Sequence, residues 1–119
     1  MRNLEKYKGV IPAFYACYDK EGNISPEGVQ GLTKYFVKKG VKGVYVNGSS
    51  GECIYQSVED RKIVLENVMK AAEGKLTVIA HVACNNTKDC LLYTSITYGL
   101  HFYILNFIPW EKHGYIRNR

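Results

Sequence analysis

The chain has 119 residues, 46% of them apolar and 23% charged, and carries a formal net charge of +5. That length and balance suit one small domain with its own core and exclude a disordered or fibrous chain. The positive charge invites a nucleic-acid reading, but no basic run in residues 1–89 exceeds two. No nucleic-acid partner is expected without a basic stripe on one face.

Beyond Met1, the first eight residues hold only Leu4 and Tyr7 as large side chains among charges. No apolar leader is visible there, and a cytoplasmic location is the default expectation. The four cysteines, Cys17, Cys53, Cys84 and Cys90, show no C-x-x-C spacing and no histidine at ligand spacing. They read as reduced thiols, with no metal site expected.

In chain order, Gly9 to Ala16 is an apolar, aromatic run that suits a buried strand, with Pro12 as a blemish because proline removes a ladder donor. Asp19 to Asn23 is a turn signal. Ser25-Pro26 then reads as an N-cap followed by proline at the first helical position. Val29, Leu32, Thr33, Phe36 and Val37 form one stripe at helical spacing, and Gly40 is placed for a left-handed stop. Gly43 to Asn47 is a short strand, and Gly48 to Glu52 a loop. Ser57-Val58-Glu59-Asp60 resembles a capping box with aspartate in place of glutamate. Val64, Leu65, Val68, Met69 and Ala72 mark the buried face of a second helix, which Gly74 ends. Lys75 to Ala83 is a third strand whose nearly continuous apolar positions predict cover on both faces.

The order β-α-β-α-β predicts a parallel sheet with crossover helices. An open doubly wound sheet and a (β/α)8 barrel both satisfy it. The dinucleotide fingerprint G-x-G-x-x-G is missing after the first strand, which weakens the first of these. The character of the chain changes at Cys90. Residues 90–110 carry no formal charge in 21 positions, and no cap or helical stripe shows there. Thr94, Ser95, Thr97, His101 and Asn106 make the stretch too polar for a membrane span. An apolar strand pair, or a tail foreign to the parent fold over residues 90–119, are the remaining readings.

Asn47 to Glu52 (NGSSGE) carries the chemistry. It follows a strand directly, where barrel loops build active sites. Its hydroxyls and backbone N–H groups can donate to a carboxylate, and its glycines let a backbone approach a ligand. Composition alone favours a plain Gly-Ser turn that needs no ligand.

Tyr45-Val46-Asn47-Gly48-Ser49-Ser50-Gly51-Glu52 resembles the loop motif of the dihydrodipicolinate synthase and N-acetylneuraminate lyase family. Gly9-Val10-Ile11, the turn at Asp19 to Asn23, and Ile79-Ala80-His81-Val82 fall in register with it. The resemblance implies an α/β fold, a partial TIM barrel over residues 1–89 with only the first β-α-β-α-β units, followed by a non-family tail at 90–119. It implies substrate-binding roles for Ser49 and Ser50, with Gly48, on the carboxylate of a pyruvate unit. Tyr45-Val46 and Ala80-His81-Val82 look like the lyase branch. Ala16-Cys17-Tyr18 departs from the Thr-Pro-Phe that often ends the first strand, which counts against the synthase branch. His81 has a structural reading as well, as a strand histidine satisfied by a neighbour.

In the intact family a lysine on the sixth strand forms a Schiff base with the keto acid and a tyrosine relays protons, with no metal or organic cofactor. Neither residue has a matching position here, so no catalytic residue is assigned. The resemblance implies a keto acid as small-molecule partner and a homotetrameric full-length parent. A small α/β domain that binds an anion without chemistry is the reading of another class.

Overall fold

The computed structural model describes residues 4–99. Three α-helices and two strands, with three short 3-10 turns, make up the regular structure there: α1 Pro26–Lys39, β1 Gly43–Val46, α2 Val58–Ala72, β2 Thr77–Ala80 and α3 Thr87–Gly99.

Both predicted helix starts are capped as their residues dictate. The Ser25 hydroxyl accepts from the Gly28 N–H at 3.1 Å, with Pro26 at the first position of α1. At α2, Ser57 and Asp60 exchange bonds: each backbone N–H donates to the other's side chain at 3.1 Å. Such boxes satisfy donors that no helical carbonyl can reach. Helix α1 ends at Gly40 in the left-handed conformation (φ 71°), whose N–H returns to the last turn. Helix α2 stops one residue earlier than the glycine predicts. Glu73 takes the left-handed position (φ 48°), and Lys75 pairs with its carboxylate at 2.7 Å.

The strands are shorter than the apolar runs. β1 and β2 pair in parallel from Gly43↔Thr77 to Val46↔Ala80. The ladder ends because Asn47 turns left-handed (φ 59°), and the His81 N–H to Val46 carbonyl bond at 2.9 Å is its last. Val82 and Ala83 therefore lie outside β2. The strand predicted over Gly9 to Ala16 is reduced to a single parallel bridge, Ala13 to Tyr45. Around it, Tyr45 N–H donates to the Pro12 carbonyl and Phe14 N–H to the Tyr45 carbonyl, at 2.9 and 2.8 Å. A parallel ladder would next need a donor at position 12 toward Gly43, and proline has none.

The core lies between this sheet and the helices. Phe14, Val29, Val44, Val46, Val64, Leu65, Val68 and Tyr93 are buried in one cluster, with Leu32, Phe36 and Val37 packed against it. Gln30 of α1 donates to Asn67 of α2 at 2.7 Å, tying the two helices together. β2 alternates in burial: Val78 and Ala80 are buried, Thr77 and Ile79 half-buried. The expectation of full cover on both faces is corrected accordingly. One face meets the helices, and the other would face the interior of a closed barrel, where further strands supply the filling side chains.

Helix α3 was not foreseen. Its cap is Asn86, whose side-chain oxygen accepts from the Asp89 N–H at 2.8 Å while its amide donates to the Asp89 carboxylate at 2.7 Å. The helix runs without a break through Asp89 and Cys90. The rest of the tail, residues 100–119, lies outside the described residues. Among the described residues, no helix is long and apolar enough to cross a membrane.

Candidate functional site

The Gly-Ser loop sits at the carboxyl end of β1, as the barrel reading requires. Gly48 is buried and Ser49 and Ser50 are exposed. Ser49–Gly51 form one 3-10 turn, in which the Gly51 N–H donates to the Gly48 carbonyl and the Glu52 N–H to the Ser49 carbonyl, both at 3.0 Å. Among the described residues, the Ser49 and Ser50 hydroxyls and backbone N–H groups make no hydrogen bond. Four donors on two adjacent residues therefore remain for a ligand.

The glycines are fixed by the protein's own neighbours. A Cβ on Gly48 would lie 2.5 Å from the Tyr45 ring, and one on Gly51 would lie 2.7 Å from the Phe14 carbonyl oxygen. Gly48 has an ordinary extended backbone (φ −79°), so close approach, not conformational freedom, demands glycine there. The loop is pressed down onto the end of the sheet, leaving the serines on top.

A buried polar network holds the loop from beneath. The Asn47 side-chain amide donates to the Arg61 carbonyl at 2.9 Å and to the Tyr93 hydroxyl at 2.6 Å. The Asn47 carbonyl accepts from His81 Nδ1 at 2.9 Å, which requires the Nδ1–H tautomer. His81 is thus satisfied by a neighbour, in keeping with its structural reading. Arg61, on α2, is 2% exposed. Its guanidinium donates to the His81 and Ala83 carbonyls at 2.8 and 2.9 Å and lies over the Tyr93 ring, 4.3 Å from its centroid. A buried charge is costly unless its donors find acceptors, and two carbonyls of the loop after β2 supply them for Nη1 and Nη2, while Nε is buried without a partner. One residue therefore joins the loops that follow both strands: the Arg61 backbone carbonyl takes Asn47, and its side chain takes the loop after β2. Gln56 adds a tie from the far side, donating to the Gly51 carbonyl at 2.9 Å.

Sequence reasoning singled out Ser49, Ser50 and Gly48 as candidates and passed over Asn47, Arg61, Tyr93 and Gln56, which support their loop. For Arg61 a signal existed: it stands in helical register with Leu65, Val68 and Ala72, on the stripe that α2 buries. A cation on an apolar stripe points to a buried partner. Lys75 is at the opposite end of the sheet, beside a cleft of about 430 Å³ lined also by Lys8, Lys42 and Thr77.

A parallel strand-helix-strand unit, with helices on one face and a Gly-Ser loop at the carboxyl end of its first strand, matches the opening of an α/β barrel. The chain belongs to the Dihydrodipicolinate synthetase family, which matches residues 6–103. It is 99% identical over 89 residues to the N-acetylneuraminate lyase of Mediterraneibacter gnavus, covering 75% of this chain and 28% of that protein. A structure of a catalytic lysine mutant of Ruminococcus gnavus sialic acid aldolase superposes with a TM-score of 0.82 at 90% identity, covering 84% of this chain and 33% of that one. N-acetylneuraminate lyase from Mycoplasma synoviae follows at a TM-score of 0.77 and 32% identity, covering 83% and 34% of the two chains. The chain spans about a third or less of the length of each of these relatives.

Proposed function

We propose that the chain is the N-terminal part of an N-acetylneuraminate lyase-like Schiff-base aldolase, which in full length cleaves sialic acid to pyruvate and N-acetylmannosamine. The loop carries this reading: two exposed serines with unengaged donors, in a chain 99% identical over 89 residues to such a lyase. Ser49 and Ser50 hold the carboxylate of the pyruvate unit, and Gly48 keeps the loop low enough against Tyr45 to present them. Holding the acid end of the substrate fixes its carbonyl for attack. The Schiff-base lysine and the proton-relay tyrosine belong to later strands, so this chain alone turns over no sialic acid. The full-length protein is a cytoplasmic homotetramer in this reading.

The 99% identity to the lyase spans 89 residues while the family match reaches residue 103, and in this reading the chain leaves its parent's own sequence after Asp89. Reading the encoding DNA past Asp89 in the other two frames tests this. An amphipathic helix followed by a strand in either frame supports it; nonsense in both counts against it.

The test of the carboxylate role is replacement of both serines by alanine in the restored full-length protein. A hydrogen bond to a charged group contributes about 1.5–3 kcal/mol. Pyruvate affinity should therefore fall roughly tenfold or more for each hydroxyl lost. Unchanged affinity in the double variant removes the assignment.

A further inference from the structure

Two thiols share one backbone acceptor where the loop after β2 meets the start of α3. The Cys84 and Cys90 sulfurs both approach the Val82 carbonyl oxygen, at 3.8 and 3.6 Å. Each is half-buried and free. Cys84 also lines a small cavity of about 90 Å³, together with Cys53, Arg61, Asn85, Asn86 and Asp89. Arg61 Nη1 donates to the Cys84 sulfur at 2.8 Å. We propose that Cys84 and Cys90 form a reactive dithiol that closes to an intramolecular disulfide on exchange with a small-molecule disulfide of the glutathione type.

The two sulfurs differ in surroundings, and that difference orders the steps. Cys84 lines the cavity and Cys90 does not, so Cys84 is the sulfur that an incoming disulfide meets first. Its sulfur attacks oxidised glutathione, the glutathione S–S bond breaks, and one glutathione leaves as a thiol with the proton that Cys84 gave up. Cys84 now carries the other glutathione. The Cys90 sulfur attacks that Cys84 sulfur, expels the second glutathione and passes its proton to it. Two protein thiols are oxidised to one disulfide, and one glutathione disulfide is reduced to two thiols. The short segment from His81 to Asn86 has no regular structure. It can absorb the movement that brings the sulfurs to about 2.05 Å. The product ties the first turn of α3 to the loop after β2, and Cys84 gives up its bond to Arg61. This chemistry is separate from keto-acid binding and stands or falls without it.

The experiment uses the 119-residue chain. It is equilibrated with oxidised glutathione, alkylated with iodoacetamide and cut with trypsin. Cleavage at lysine and arginine leaves each cysteine in its own peptide; Leu76–Lys88 carries Cys84 and Asp89–Lys112 carries Cys90. The expected result is the loss of two of the four alkylatable thiols, with those two peptides recovered as one linked species. In Cys90→Ser the reaction should stop at Cys84 bearing glutathione. Recovery of both peptides singly alkylated overturns the proposal. So does linkage of Cys84 to Cys53, or a linked yield that is the same in urea-unfolded chain. The Cys90→Ser variant changes one atom at a half-buried position, so the test does not depend on disturbing Arg61.

Discussion

The two faces of the β1-β2 sheet are finished to different degrees. Toward the helices, Val44 and Val46 are fully buried and Val78 and Ala80 nearly so. On the other face, Tyr45 and Ile79, which are paired across the strands, are only half-buried. The first face is complete within this chain because α1 and α2 lie on it. The second has only neighbours on its own strands and loops among the described residues. In a barrel that face is filled by strands arriving later in the chain. Local structure and half of the core can thus be specified by a quarter of a barrel, while the interior cannot.

The largest expected effect comes from testing that contrast directly. Leu65→Ala empties a site that is fully buried on the helix side. It should cost about 2–5 kcal/mol, close to the whole stability of a small domain. Ile79→Ala, on the half-covered face, should cost about 1 kcal/mol, because much of its side chain meets water in either state. Urea unfolding followed by circular dichroism measures both. Equal losses would mean that the second face is packed as firmly as the first.

The same division explains what could be read from residues alone. Both early helices were legible because their determinants are local: the Ser25-Pro26 and Ser57-Asp60 starts, and apolar positions every three or four residues. Strand lengths were not, since pairing depends on the partner. Pro12 interrupts one ladder for want of an N–H, and Asn47 ends the other by turning left-handed. Within the site, the Gly48-Ser49-Ser50 motif is contiguous and could be found. Its support is assembled from residues 14 to 46 positions apart, so only folding brings Asn47, Arg61 and Tyr93 together. Tyr93 was hidden most completely, in a stretch whose composition suggested no helix at all.

Gly48→Ala gives the next largest effect and sharpens the comparison at the loop, which rests on the less finished face. The added methyl meets the Tyr45 ring at 2.5 Å. Either the ring or the loop must yield, at about 1–3 kcal/mol. A ring has room to move on a half-covered face, so adding Tyr45→Ala should return most of the loss. If the double variant is no more stable than Gly48→Ala alone, another contact fixes the glycine.

The smallest effect separates helices that the core supports from one that it barely holds. Ser57→Ala and Asn86→Ala each remove an N-cap worth about 1 kcal/mol. Helix α2 buries six side chains, among them Val64, Leu65 and Val68, so packing holds its first turn even without the box. In α3, Tyr93 is buried, while Leu91 and Leu92 are largely exposed. Over its first turns α3 packs little besides Tyr93, so those turns depend on the cap to offset the cost of nucleation. Asn86→Ala should therefore raise amide exchange along the first turns of α3, while Ser57→Ala lowers the unfolding midpoint and leaves local exchange in α2 near its global value. Equal local fraying in the two variants would show that Tyr93, through Asn47 and Arg61, anchors α3 as firmly as the whole apolar stripe anchors α2.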